Sequence, residues 1–203
     1  GDGTHEEDRN LKTISRHNGA AQKTRPSIYP SDADKQTVES ILKDGKPYFC
    51  MAPASVWETK KLPFSKWVEL IANKCKYGYV YLLGGPQDKE LCEKLKNKVP
   101  AKNIVNTCGH LTLLQSASLM QHAKMNYVND SGPLHLASAV NAPTTAFFCS
   151  TVPRFGFGPL ADESRVVQVD YNLSCRPCGL HGFHQCPKKH FKCGEDIKIK
   201  DAT

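Results

Sequence analysis

The chain has 203 residues, 39% of them hydrophobic and 23% charged, with a formal net charge of +7 at pH 7 and a pI near 8.9. That length and apolar content suffice to bury one core, while no run approaches the roughly 18 apolar residues of a bilayer span, and the polar first thirty residues hold no secretory signal. The expected compartment is the cytoplasm, and the positive balance favours an anionic partner: a phosphorylated metabolite, nucleic acid or the anionic face of a membrane.

Residues 1–30 carry few apolar side chains and read as a linker or peripheral strap, with one domain following from 31 to 203. "SDADKQTVESILKDG" opens with Ser31 and Asp34 in a capping arrangement, repeats Val38, Ile41 and Leu42 at helical spacing, and stops near Gly45. "PYFCMAPAS" is a short apolar run ending in a loop. The helix "PFSKWVELIANKCKYG" comes next, with Trp67, Leu70, Ile71 and Cys75 on one face. "YVYLLGGPQD" is a strand and loop, "DKELCEKLKNK" a helix, "NIVN" a weak strand, and "LTLLQSASLMQHAK" a helix capped by Thr112. "MNYVN", "GPLHLASAV", "TTAFFC" and "SRVVQVD" complete the series as strand, helix, strand, strand. Such alternation predicts an α/β fold, a doubly wound, mainly parallel sheet of Rossmann-like type, whose ligands bind beyond the carboxyl ends of the strands.

Three post-strand loops therefore hold the candidate chemistry. "APASVWETKKLP" offers Ser55, Thr59 and the pair Lys60, Lys61; "GGPQD" offers two glycines and Asp88; "NDSGPLH" offers Asp130, Ser131, Gly132 and His135. A helix start exposes backbone amides and a partial positive charge, so it suits a phosphate. Gly132 leaves the approach open, Pro133 suits the first turn, and His135 falls one turn deeper on the same face. Taken alone, Asp130 and Ser131 are equally ordinary helix caps, and Lys60, Lys61 and Asp88 equally ordinary surface residues. No G-x-G-x-x-G or Walker lysine motif occurs, which argues against dinucleotide oxidoreductases and NTPases. No basic stripe interleaves with aromatics, so nucleic acid is not the expected partner.

"APASVWETKKLPFSKW", "LLGGPQDKE", "YVNDSGPLHLASAVNAPTTAFF" and "CRPCGLHGFHQCPKKHFKC" resemble, in order and spacing, the carboxyl-terminal half of the ADP-heptose:lipopolysaccharide heptosyltransferases, glycosyltransferase family 9. The resemblance implies the donor domain of a GT-B enzyme: an ADP-sugar donor, a lipopolysaccharide core acceptor, and inversion at the anomeric carbon without a catalytic metal. It implies that Lys60 contacts the phosphates and, with His135, acts in catalysis. It further implies that Asp88 lies near the nucleoside and that Ser55, Thr59, Asp130, Ser131, Gly132 and Thr151 complete the nucleotide-sugar site. Ala54 departs from the glycine usual in the first loop, and Cys149, Ser150 from the Gly, Pro that commonly precede Thr151. "HEEDRNLKTIS" resembles the connector that follows the acceptor domain, and the family's amino-terminal catalytic aspartate has no counterpart. The expectation is a donor-binding half that transfers nothing alone. The alternatives are a non-catalytic nucleotide-binding module and a GT-B transferase using a UDP- or GDP-sugar.

Nine cysteines are many for a cytosolic chain. Cys50, Cys75, Cys92, Cys108 and Cys149 sit in apolar segments and read as small buried hydrophobes. Cys175, Cys178, Cys186 and Cys193 cluster in the segment 171–203 at a spacing compatible with a structural zinc site, with packed thiols or disulfides as the alternatives. Lys188, Lys189 and Lys192 in the same segment suggest peripheral contact with a membrane or an anionic acceptor.

Overall fold

The computed structural model describes residues 4–18, 25–43 and 45–202. Six strands, β1 (Tyr48–Ala52), β2 (Tyr79–Leu82), β3 (Ile104–Asn106), β4 (Met125–Asn129), β5 (Thr144–Phe147) and β6 (Ser164–Val167), form one sheet in the order β3-β2-β1-β4-β5-β6. Every neighbouring pair is parallel, from Tyr48 opposite Tyr79 to Phe147 opposite Val167. The order reverses between β1 and β4, and the loops leaving these two strands diverge there to open a crevice.

The period-two alternation of each strand divides the core in two. Phe49, Met51, Val80, Leu82, Tyr127 and Phe147 pack under α3 (Phe64–Lys74) and α4 (Lys89–Lys98), through Trp67, Leu70, Ile71 and Leu95. Cys50, Ala52, Tyr81, Val128, Ala146 and Phe148 face α2 (Asp32–Ile41), α5 (Leu113–Gln121) and α6 (Gly132–Ala139). The strands are apolar on both sides, so they read as short continuous runs rather than polar-apolar alternations.

Helix boundaries follow the local signals closely. Ser31 and Asp34 form a reciprocal capping box for α2, as do Thr112 and Gln115 for α5. α2 ends at Ile41 with Leu42 as its cap; Gly45, at φ +58, serves the next turn instead of the helix stop expected of it. β6 ends at Val167, although Val169 remains buried beyond it.

Two segments differ in form from their expectations. Glu6–Asn18, within the stretch read as a linker or peripheral strap, is helix α1. The helix is docked at its start: the Glu6 amide donates to Gly156 O at 2.9 Å, and Arg9 Nη2 donates to Thr4 O and Phe155 O at 3.0 and 3.2 Å. The cysteine-rich segment, which ends in the short helix α7 (Lys192–Glu195), folds back over the loop after β1. No helix among the described residues is long and apolar enough to cross a membrane.

Candidate functional site

Three loops meet at the crevice, and Asn129 at the end of β4 joins them. Its side chain is buried; Oδ1 accepts from the Leu62 amide at 3.0 Å, and Nδ2 donates to Pro53 O and Ala54 O at 2.8 and 3.3 Å. Sequence reasoning passed over Asn129. Its signal was an amide side chain ending a run of buried strand residues, where an unmatched polar group is costly unless it bonds.

One residue on, Asp130 is buried and receives two groups. Lys60 Nζ lies 2.8 Å from its Oδ2, with 15% of the lysine and 7% of the aspartate side chain exposed, and Thr151 Oγ1 donates to the same oxygen at 2.6 Å. Oδ2 of the Asp130 carboxylate is thus taken up by these two groups. It holds the Lys60 ammonium beside the start of α6. Lys61, the other half of the basic pair, turns away to Glu58.

The first turn of α6, where an anion cradle is expected, has fewer open donors than four. Pro133 has no N–H, and the Leu134 amide donates to Ser131 O at 3.0 Å, leaving the Ser131 and Gly132 amides as the open donors. Ser131 is the N-cap residue, yet its hydroxyl makes no capping bond; it rests 3.5 Å from Ala54 O. Capping alone thus leaves the hydroxyl unexplained. Space beside Gly132 is empty within 4 Å of where a Cβ would stand. His135 is exposed overall, yet its ring meets Phe157 edge-on at 6.2 Å between centroids. Burial holds its pKa below the usual imidazole value, with Asp130 pulling upward and His5 and Lys60 pushing down. Lys60 and His135 therefore share one mouth.

Beside this turn lies a cleft of about 620 Å³. Ser55, Gly84, Gly85, Asp88, Ser131 and Gly132 contribute to its walls, with Leu113 and Met120 adding apolar surface. Asp88 shapes the loop as well as lining it, since its Oδ2 accepts the Gly85 amide at 2.8 Å. Apolar walls with a few convergent polar groups suit a nucleoside.

Two expected ligands prove to be supports. Thr59 is 3% exposed and its Oγ1 accepts the Phe183 amide at 2.7 Å, while its own amide donates to Phe183 O at 3.1 Å. Thr151, 1% exposed, serves Asp130. Arg176 completes the framework: its guanidinium donates to Phe148 O, Cys149 O, Thr151 O and Gln168 Oε1, tying the end of β5 to the cysteine-rich segment.

That segment is seated against the loop after β1. All nine cysteines are free thiols, and among the described residues no group of three or more His, Cys, Asp or Glu is arranged to hold a metal ion. The zinc site expected of Cys175, Cys178, Cys186 and Cys193 is not assembled. Cys178 Sγ donates to Cys175 O at 3.0 Å, and Cys193 is buried in the core, where desolvation pushes its thiol up to about 12. The seat itself is tight at Gly182: at φ +79, a Cβ there would lie 2.8 Å from Thr59 Oγ1 and 2.9 Å from Ser150 Oγ. The Trp57 and His184 rings meet alongside at 4.7 Å. Gly182→Ala is therefore expected to lower stability by about 1–3 kcal/mol, read as a fall in melting temperature, through left-handed strain and overpacking together.

A doubly wound sheet with an open helix start, a held ammonium and a cleft at its switch point defines a Rossmann-like α/β domain with a candidate ligand site. Residues 3–183 match glycosyltransferase family 9 (heptosyltransferase), and the chain belongs to that family. Lipooligosaccharide heptosyltransferase 2 of Campylobacter jejuni is 28% identical over 162 residues, 78% of this chain and 50% of the relative. The solved ADP-heptose lipopolysaccharide heptosyltransferase II of Escherichia coli shares the fold at a TM-score of 0.67 and 22% identity, over 92% of this chain and 57% of that one. The E. coli heptosyltransferase WaaC, solved with ADP, does so at 0.62 and 21%, over 78% and 48%. The chain spans about half the length of the curated relative.

Proposed function

We propose that this chain binds ADP-heptose and serves as the donor half of an inverting, metal-independent heptosyltransferase acting on the lipopolysaccharide inner core. The observation that carries the reading is the Lys60 ammonium, held by Asp130 two residues before the open amide of Gly132. The names of the relatives, and the ADP bound to one of them, support the choice of nucleotide and sugar.

As the bond between sugar and diphosphate breaks, negative charge accumulates on the departing phosphate. Lys60, the Ser131 and Gly132 amides and a His135 N–H are fixed donors for that charge and can stabilise it without a cation. The acceptor hydroxyl still needs a base, which the proposal places in an acceptor-binding half like that of full-length relatives. The chain by itself is expected to bind the donor and transfer nothing; heptose transfer by this polypeptide alone would disprove that. Peripheral docking of the assembled enzyme at the cytoplasmic face of a membrane belongs to the same proposal, with exposed Lys188, Lys189 and Lys192 as its basic contact.

Titration calorimetry with ADP, UDP and GDP tests the nucleotide directly. Saturable binding with preference for ADP is expected; preference for UDP or GDP would point to a different transferase, and no binding to a degraded module. The pH dependence adds a second test. His135 has a lowered pKa in the free chain, and a bound diphosphate favours its protonated form, so ADP affinity should rise as pH falls from 8 to 6. His135→Ala should flatten that slope. Stability without ligand should move the other way: the unfolded chain binds this proton more readily, so stability is retained above about pH 6.5 and declines as pH falls below it.

A further inference from the structure

We propose that the turn at 179–182, with Leu180 in it and Phe183 beside it, inserts into the surface of an anionic bilayer and brings the mouth that holds Lys60 to the lipid. This deepens the peripheral docking proposed above, and it rests on the reading of a membrane-borne acceptor.

Three observations carry it. The first is a pair of apolar side chains held out on an anchored turn: Leu180 is 65% and Phe183 42% exposed. Their backbone is fixed on both sides, the Cys178 amide donating to Ser150 O at 2.9 Å and the Phe183 amide to Thr59 Oγ1 at 2.7 Å. Between these anchors Gly179, at φ +66, and Gly182, at φ +79, take the left-handed backbone that lets the chain reverse. The Phe183 ring packs against the turn, 3.7 Å from where a Cβ on Gly179 would stand. A backbone pinned in this way cannot fold its apolar side chains away from water, and a bilayer interface relieves the cost of keeping them wet.

The second observation is charge. Residues 171–194 contain Arg176, Lys188, Lys189 and Lys192 and no Asp or Glu. Arg176 is committed to carbonyls within the fold, whereas the three lysines are exposed. Lys189 stands near the turn, because it lines one small cavity with Thr59, the residue that clamps Phe183. Glu58, on the wall of the same cavity, is paired with Lys61. Lysines around an exposed Leu and Phe match an anionic lipid surface, which attracts the charges and takes up the apolar groups. Protein–protein interfaces are depleted of lysine, so a partner protein fits this composition less well. The third observation is position. A Cβ at Gly182 would lie 3.5 Å from Lys60 Cγ, so the turn stands against the residue proposed to hold the diphosphate. Insertion at 179–182 therefore sets that mouth at the lipid surface, where an acceptor sugar carried on a lipid is presented.

Co-sedimentation of this chain with vesicles of phosphatidylcholine alone, and of an equal mixture with phosphatidylglycerol, tests it. Wild type should bind the anionic vesicles well and the neutral ones weakly. Leu180→Ser and Phe183→Ser should each weaken binding to anionic vesicles by about fivefold or more, the return of a partly buried apolar side chain to water. Lys188→Gln, Lys189→Gln and Lys192→Gln should cost about fivefold each. The melting temperature and the ADP affinity in solution should stay at wild-type values throughout. The indole of a Leu180→Trp variant should be quenched by lipids brominated on the acyl chain; this readout and Leu180→Ser decide the matter if Phe183→Ser lowers the melting temperature. Binding that needs the lysines but is indifferent to Leu180 and Phe183, with no quenching, would overturn insertion and leave the basic membrane contact standing. No binding to either vesicle, or equal binding to both, would overturn the basic contact as well. ADP binding, measured on the same samples, separates these failures from failure of the donor site.

Discussion

Replacing Lys60 with methionine is expected to weaken ADP binding by about 10- to 100-fold, the range for one charged hydrogen bond to phosphate, and to destabilise the fold at the same time. The two effects have different sources. Binding is lost because the ammonium is a charged donor at the mouth whose position is fixed by a buried carboxylate 2.8 Å away. Stability is lost because Asp130, with 7% of its side chain exposed, keeps its charge with only Thr151 Oγ1 as a donor. Breaking a buried ion pair from one side costs about 3–5 kcal/mol, and the partial exposure of Lys60 places this case nearer about 2–3 kcal/mol. The double replacement Lys60→Met, Asp130→Asn separates the sources. It should recover most of the melting temperature, because no buried charge is left unpaired and Asn can still accept from Thr151, while ADP binding stays weak. Recovery of binding in the double variant would mean that Lys60 acts only through the fold.

The contrast between Lys60 and Thr59 shows which parts of this site are legible in a sequence. The sheet could be read because strands buried on both faces form continuous apolar runs, such as Tyr48–Ala52 and Tyr79–Leu82, and because α2 and α5 announce their starts with capping boxes. The site could be read as far as its loops, because a doubly wound sheet places all post-strand loops at one edge. What each side chain does within a loop depends on contacts that leave no local trace. Thr59 bonds to Phe183, 124 residues away, and Thr151 to Asp130, 21 residues away; both look like ligands in sequence and act as supports in the fold.

α1 was hidden for a related reason. Its run of Glu, Asp, Arg and Lys with few apolar positions gives little periodic signal, and its docking comes mainly from backbone and arginine bonds at its first turn. The cysteine cluster misled in the opposite direction, since a spacing compatible with a metal says nothing of whether the thiols point at one another. Cys193 packs into the core beneath α7 instead. Periodicity and capping are properties of neighbours in sequence, whereas a ligand's role is fixed by neighbours in space.

Gly132→Val is expected to abolish measurable ADP binding while leaving the fold intact, the cleanest separation of site from scaffold in this chain. Most glycines at tight positions fail when given a side chain because the protein itself resists: Gly78 would place a Cβ 2.1 Å from Pro47 O, and Gly182 is similarly confined. Around Gly132 there is nothing within 4 Å, and no left-handed backbone requires glycine there. A Cβ there meets no protein atom beyond its own turn, and a residue that restricts the unfolded chain more than glycine does should hold or slightly raise the melting temperature. Gly132 and Ser131, whose amides are the open donors of the first turn, both line the cleft, so a valine at 132 takes up space in that cleft beside them. Gly132→Ala should be intermediate, with a loss of about tenfold or more if its methyl displaces one amide-phosphate bond. A stable Gly132→Val variant that still bound ADP with wild-type affinity would show that the anion sits elsewhere, because a phosphate and an isopropyl group cannot occupy the same few ångströms in front of those amides.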